Sequence, residues 1–459
     1  MSFCRPRSMS RPAALQRRAL LWGLLVVSVC LPHSKWSMAQ SAPFPSQHAI
    51  ELNKRGEELL ARKDYVGAAQ QFRNALSIQA DYEEALRNLG TALDAMGKDE
   101  EAVADLEKAI KLAPEDARAH NSLGHALFHE AKYQDSLDSY RRAIAIHDDY
   151  AEAYNGMGAA LLKLGRTDDA LTAFKSAAAK DPKNIDALNN AGLALLELHK
   201  GQDAINYFEE ALELQPNAHD TLENYGNALQ QVGRTDDAIA AYEKALKGDP
   251  KNSVAWAHLG HSQFAAKRYD VAEASFQKSL DLKHDQPEVL FALGAAYSEQ
   301  GKTNEAVNTI EKGLRLKPND PDGLYNLGHA YERQKQYDKA ISSYRQALLE
   351  RSSFPLALAG LAACQLATNQ LDDAIASYHS LIPSQPNDPA LRFNLGTALF
   401  NKGDFKGAED SFSETIRLKP DFAYAHYNLG MSLLRLSDRK GAQAEFEEAH
   451  RLDPKLEIP

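Results

Sequence analysis

The chain has 459 residues, 44% of them hydrophobic, with 52 Lys and Arg against 63 Asp and Glu and a formal net charge of −11. An acidic balance of this size argues against nucleic acid, whose phosphates need clustered cations. It argues equally against general adhesion to anionic lipid surfaces.

The first 39 residues differ in kind from the rest. Arg5, Arg7, Arg11, Arg17 and Arg18 precede an apolar run from Ala19 to Leu31, and Ser37-Met38-Ala39 ends the segment. A basic start, a short apolar core and a small-x-small ending describe a secretory signal peptide over residues 1–39, expected to be cut after Ala39. The apolar run is shorter than the roughly 20 residues a spanning helix needs; an uncleaved membrane anchor is the alternative. Arg17-Arg18 lacks the preceding Ser or Thr of a twin-arginine signal, and Val29 spoils a lipoprotein box ending at Cys30. Cleavage would remove six Lys and Arg and no Asp or Glu, moving the net charge to −17. It would also remove Cys4 and Cys30, leaving Cys364 alone and without an internal disulfide. Cys364 takes a place where Ala is usual, which reads as a buried structural thiol. Residues 40–48, with Pro43, Pro45 and polar neighbours, read as a flexible lead-in.

From Ala49 to Leu456 the sequence repeats every 34 residues without insertion or deletion. The twelve units are 49–82, 83–116, 117–150, 151–184, 185–218, 219–252, 253–286, 287–320, 321–354, 355–388, 389–422 and 423–456. Position 8 is glycine in every unit except at Ala362, and position 20 is alanine except at Ser136. Each unit holds two stretches of helical periodicity, as at Tyr154, Met157, Gly158 and Leu161 and then at Ala170, Phe174 and Ala177. The small residues allow paired helices to approach, and Phe174 is expected to fill the space between units. About three residues separate the two stretches, as at Gly165-Arg166-Thr167, so the helices must be antiparallel neighbours. Proline closes most units, while Pro287, Pro321, Pro355 and Pro389 open later ones at the first helical position, where a missing N–H costs nothing. A fixed period of this length indicates a solenoid.

The runs Tyr325-Asn326-Leu327-Gly328 and Tyr427-Asn428-Leu429-Gly430, with Trp256, Leu259 and Gly260, resemble the tetratricopeptide consensus, and the likeness extends over residues 49–456. It implies an all-α fold, a right-handed α-solenoid superhelix of twelve 34-residue helix-turn-helix units with a concave groove. The tenth unit departs from the pattern at Ala362, Gln365, Leu381 and Pro383, and its second helix is expected to be shortened.

The resemblance implies that positions 2, 5, 6, 9, 12 and 13 of each first helix line the groove. Position 6 carries Asn88, Asn190, Asn224, Asn326, Asn394 and Asn428. A primary amide donates to a peptide carbonyl and accepts from a peptide N–H, so such a row can hold an extended chain by its backbone. The row resembles that lining the tetratricopeptide arm of the eukaryotic protein O-GlcNAc transferases. It is also explicable as plain consensus. No transferase domain accompanies it here, and no glycosyl transfer is expected. Position 2 is mainly acidic toward the N-terminus (Glu84, Glu152, Asp186, Asp220, Glu288 and Asp322) and then apolar (Leu356, Ala390 and Tyr424). Position 5 turns aromatic at Phe291, Tyr325, Phe393 and Tyr427, and position 12 adds Leu366, Phe400 and Leu434. Aromatic residues at a groove are the usual anchors of a partner, although part of this strip is consensus. The two-carboxylate clamp of chaperone-binding members is not met: Arg87 is the basic residue at position 5, followed by Thr91 and Ser122.

No catalytic constellation stands out. The glycines fall at the repeat period, no Gly-x-Ser-x-Gly is present, and Asp168-Asp169 and Asp236-Asp237 read as acidic starts of second helices. His125 and His129 stand i, i+4 on one helix face, but zinc wants three or four protein ligands; Asp94 is the nearest third candidate, and groove-lining histidines without metal are expected. No catalytic residue, cofactor or metal is therefore assigned. The sequence indicates a non-enzymatic exported scaffold that binds extended segments of other proteins, in the periplasm or secreted, within a bacterial envelope assembly or secretion system. A glycan-binding module for exported polysaccharide is the second reading, and a regulatory subunit of a separate enzyme the third. Phe446, Ala449 and Leu452 form an apolar stripe on the last helix with no thirteenth unit to meet it, so fraying or weak self-association is expected there.

Overall fold

The computed structural model describes residues 45–459; the expected leader and its cleavage point lie outside them. Twenty-four α-helices and one short 3-10 turn are found among the described residues, with no strand. They pair into consecutive antiparallel hairpins, each packed chiefly on the one before and the one after. The first helix, Gln47–Ala61, starts two residues earlier than the repeat frame suggests and so takes up part of the expected lead-in. Later units keep step, with first helices such as Glu83–Asp94, Ala117–His129 and Ala151–Lys163 beginning at position 1.

Local chemistry sets these starts. Asp116, Asn184, Asn252, Asp320 and Asp388 each cap a first helix by accepting from a backbone N–H of its first turn. Pro287, Pro321, Pro355 and Pro389 stand at the N-terminal position their fixed φ suits. The turn between paired helices uses one left-handed residue at position 15 throughout. Gly97, Gly165, Gly233, Gly301 and Gly403 supply it, and so do Lys63, Ala131, His199, Lys267, Lys335, Asn369 and Ser437, with φ between 57° and 70°. That conformation is free for glycine and costs about 1–2 kcal/mol for other residues.

The core is built unit by unit. Phe72, Phe174, Phe208 and Phe276 are fully buried, each worth about 1.5–3 kcal/mol in burial. Phe174 does not simply fill the space between units: it lies on Gly158 of its own unit, where an added Cβ would stand 2.5 Å from its Cε1. Position 8 is glycine because the ring of position 24 occupies the place of a side chain. Ser136, the exception at position 20, is buried and donates its hydroxyl to the Gly124 carbonyl at 2.6 Å. Gln365 is likewise satisfied, accepting from the Ser377 hydroxyl at 2.8 Å. Cys364 is buried, and burial pushes its thiol up to about 12.

Two expectations about the array's later part have different outcomes. The second helix of the tenth unit, Leu371–Leu381, has 11 residues against 14 elsewhere and ends in a 3-10 turn, Ile382–Ser384, where Pro383 removes a donor. The expected exposed stripe at the C-terminus is not found. Phe446 and Ala449 of the last helix, Arg439–Leu452, are buried against the preceding Ala423–Arg435. Its outward residues include Lys440, Gln443, Glu447 and Arg451, and Leu452 is half-buried. Among the described residues, no helix is long and apolar enough to cross a membrane.

Candidate functional site

The first helices bring their columns together into one face along the array. In the early units this face is tied by hydrogen bonds between neighbours. The Asn88 amide donates to Asn53 Oδ1 at 3.1 Å and Glu57 Oε1 at 3.0 Å. Asn190 donates to Asn155 Oδ1 at 2.9 Å, Asn189 to the Thr221 hydroxyl at 2.9 Å, and Ser262 to Gln230 Oε1 at 3.0 Å. Position 6 of one unit thus binds position 5 of the unit before. Asn88 and Asn190 are committed to holding units in register rather than free to grip a ligand. Asn394 lies by the Tyr378 hydroxyl. Asn224, Asn326 and Asn428 have no side-chain hydrogen bond among the described residues and are half-buried.

The acidic column is also partly neutralised. Arg351 holds Asp322 through two bonds of 2.9 and 2.7 Å, and Lys317 meets Glu288 at 3.1 Å. Arg87 reaches Asp116 at 2.7 Å and Glu84 at 3.3 Å. Glu223 accepts from the Asn252 amide at 2.7 Å and stands 3.4 Å from His258 Nδ1. The approach of His258 outweighs desolvation and, with the Asn252 amide, holds the Glu223 carboxyl below its ordinary value.

The aromatic column at position 5 is corrected most. Phe291 is buried, and a Cβ at either Gly313 or Gly323 would stand 2.5 Å from its ring. It is a core residue filling the space those two glycines vacate, not a groove residue. Tyr325, Phe393 and Tyr427 are half-buried. Tyr325 packs on Tyr344 and Phe354 at 6.0 and 5.2 Å, Phe393 on Phe412 and Phe422 at 5.6 and 4.8 Å, and Tyr427 on Phe446 at 5.5 Å. They do not point away from the interhelix core. Phe400 meets Phe405 edge-on at 5.4 Å, as Phe128 meets Tyr133 and Phe264 meets Tyr269. Tyr424 alone of the singled-out rings is exposed, at 53%; Leu356 at 59% and Leu434 at 41% lie on the same late helices. The exposure of position 2 in this stretch was legible in the change from acids to Leu356 and Tyr424.

A second constellation lies on the early face. His125 Nδ1 is 2.7 Å from Asp94 Oδ2, and His129 Nδ1 is 3.0 Å from Asp94 Oδ1. The hydrogen bond to Asp94 raises the His125 imidazole against the opposing effect of burial. The sequence named the three residues but did not establish that one carboxylate meets both rings.

Comparison with known proteins agrees with this architecture. Family models described as "Tetratricopeptide repeat" match residues 155–219, 225–287 and 393–457 in one case and 331–399 in another. A third, described as "TPR repeat", matches 91–130, 128–165 and 296–335. Among solved structures, the chain is similar to the APC/C hetero-tetramer Cut9–Hcn1 at 15% identity, over 89% of this chain and 94% of that one, with a TM-score of 0.47. It is similar to yeast Tom70 at 16% identity, over 89% and 98%, with a TM-score of 0.41. It is also similar to YrrB, described as a TPR protein with an unusual peptide-binding site, at 24% identity over 41% and 96%, with a TM-score of 0.37. No curated protein sequence matches.

Proposed function

The chain belongs to the tetratricopeptide repeat family, and from that premise we propose that it is a scaffold binding extended segments of other proteins on its first-helix face, with the late units as the docking end. The observation that carries this reading is the contrast along the face. Early amides such as Asn88 and Asn190 are bonded to neighbouring units, whereas the late first helices leave Leu356, Tyr424 and Leu434 exposed and the amides of Asn326 and Asn428 unpaired. Exposed apolar side chains and free amides suit a peptide: the amides take its backbone and the apolar groups its side chains. The leader-like sequence supports export, and with it partners in a bacterial envelope, within an assembly or secretion system.

Photo-crosslinking tests this. A photoreactive residue at Tyr424, compared with one at Lys175 on a second helix, should capture discrete proteins from envelope extract only at the first position. Tyr424→Ala with Leu356→Ala should then weaken the captured partner by about 2 kcal/mol if these are hot spots. Equal capture at both sites refutes the assignment of the face. Displacement by soluble polysaccharide, with none by peptides, replaces the peptide reading with the glycan one.

A further inference from the structure

We propose that Asp94, Asp99, His125 and His129 form a binding site for a divalent transition metal of the zinc class, bridging the second and third units. Asp94 ends the first helix of unit two, Glu83–Asp94, and Asp99 opens its second, Asp99–Leu112. His125 and His129 stand one turn apart on the first helix of unit three, Ala117–His129, so both rings leave the helix on one side.

The ligand atoms already converge. Both imidazoles turn Nδ1 to the Asp94 carboxylate, at 2.7 and 3.0 Å, and the ligand atoms of the three residues lie within 4.8 Å of one another. Zinc takes nitrogen at about 2.0–2.1 Å and oxygen at about 2.0–2.2 Å, which puts tetrahedral ligands about 3.3 Å apart. The two Asp94 contacts already lie close to that spacing. Asp99 offers the fourth ligand: its Oδ1 is buried without a hydrogen-bond partner and stands 4.0 Å from His129 Nδ1.

Charge supports the same reading. Asp94 is buried, and a buried carboxylate is costly unless paired. The neighbouring ammonium groups are engaged elsewhere, Lys98 with Glu101 at 3.3 Å and Lys132 with Glu130 at 2.8 Å. Two neutral imidazoles can satisfy Asp94 by hydrogen bonding, but they leave Asp99 unpaired and two negative charges together. One dication binds the Nδ1 lone pairs of the Nε2–H tautomers, each imidazole keeping one proton, neutralises both carboxylates and engages all four side chains. The histidine side chains are about half exposed, which leaves a route from solvent. The set of two nitrogens and two oxygens suits zinc and its neighbours better than calcium or magnesium, which take oxygen ligands. The bound ion would clamp unit three to both helices of unit two.

The test is zinc titration of the chelator-treated full chain against a chromophoric indicator, repeated with cobalt(II) for its visible absorption. The expected result is a site of one equivalent. It should weaken by at least about 100-fold in His125→Gln with His129→Gln, since even outer partners of such sites cost 10–100-fold. The cobalt bands should disappear with it, while helical circular dichroism is unchanged. His258→Gln with His261→Gln, the other close histidine pair, should bind as the unaltered protein does. No saturable single equivalent, or equal binding by the His125/His129 variant, overturns the proposal.

Discussion

Replacing Gly313 with alanine should destabilise the array far more while Phe291 is present than without it, the Pro287 carbonyl being the lesser obstacle at 3.2 Å. An added Cβ at Gly313 would stand 2.5 Å from Phe291 Cε1, and one at Gly323 2.5 Å from its Cζ. Overpacking of this kind costs about 1–3 kcal/mol, against which alanine recovers about 0.8–1.0 kcal/mol over glycine in a helix. Gly313→Ala alone should therefore cost up to about 2 kcal/mol. Phe291→Ala alone empties the space and should cost about 3–5 kcal/mol. Unit seven fills the equivalent positions with a different division of nearly the same volume, Ala257 with Ser279 and Val289, whereas Ala359 with Leu381 and Leu391 in unit ten is a bulkier set. Copying unit seven, as Phe291→Ala with Gly313→Ser and Gly323→Val, should bring the loss under about 1.5 kcal/mol, the usual ceiling for volume-conserving exchange. Repeat arrays depart from two-state unfolding, so the assay is hydrogen exchange across residues 287–333 beside urea denaturation. If Gly313→Ala costs the same with and without Phe291, the three residues are not one packing unit and the reasoning fails.

Four further outcomes are expected. Ala131→Gly should stabilise by up to about 1 kcal/mol in urea denaturation, because Ala131 holds φ at 58° and glycine adopts that conformation freely. Cys364 should react with alkylating reagents only on unfolding, its thiol being buried and pushed up to about 12; mass spectrometry of the native protein after brief labelling checks this. Glu223 has a depressed folded pKa, so its stabilisation is present above its unfolded value and is lost as pH falls through the folded one. Glu223→Gln should accordingly flatten the decline of the melting temperature below about pH 4.3. N-terminal sequencing of the exported protein should begin at Gln40; a chain still starting at Met1 and sedimenting with membranes would sink the cleavage reading.

The repeat made the architecture legible because it constrains the same positions again and again. Gly158 with Phe174, Pro355 at a helix start and Pro383 at a shortened end can all be read within a single unit, and the structure has each of these features. What the columns did not show was which of their residues pack inside the array. A column states which side of its helix a residue occupies; it does not state what the next helix places opposite. Phe291 looked like Tyr325 or Phe393 by position, yet Gly313 and Gly323 open a recess that draws its ring fully inside.

The missing information was present at another spacing. Asn88 and Asn53, and Asn190 and Asn155, are 35 residues apart, which is position 6 against position 5 of the unit before. Asp94 meets His125 at a separation of 31 and His129 at 35, position 12 against positions 9 and 13 of the unit after. Thr91 with Ser122 is again 31 apart, and Asn189 with Thr221 is 32. Stacked first helices therefore juxtapose residues a few positions on either side of the 34-residue period. Polar side chains on this face are first tested against partners at those separations, since a bond within the array already satisfies them. By that rule Asn88 and Asn190 are structural. Asn224, Asn326 and Asn428 find no such bond and stay available to an external partner, which we propose binds where Leu356 and Tyr424 are exposed.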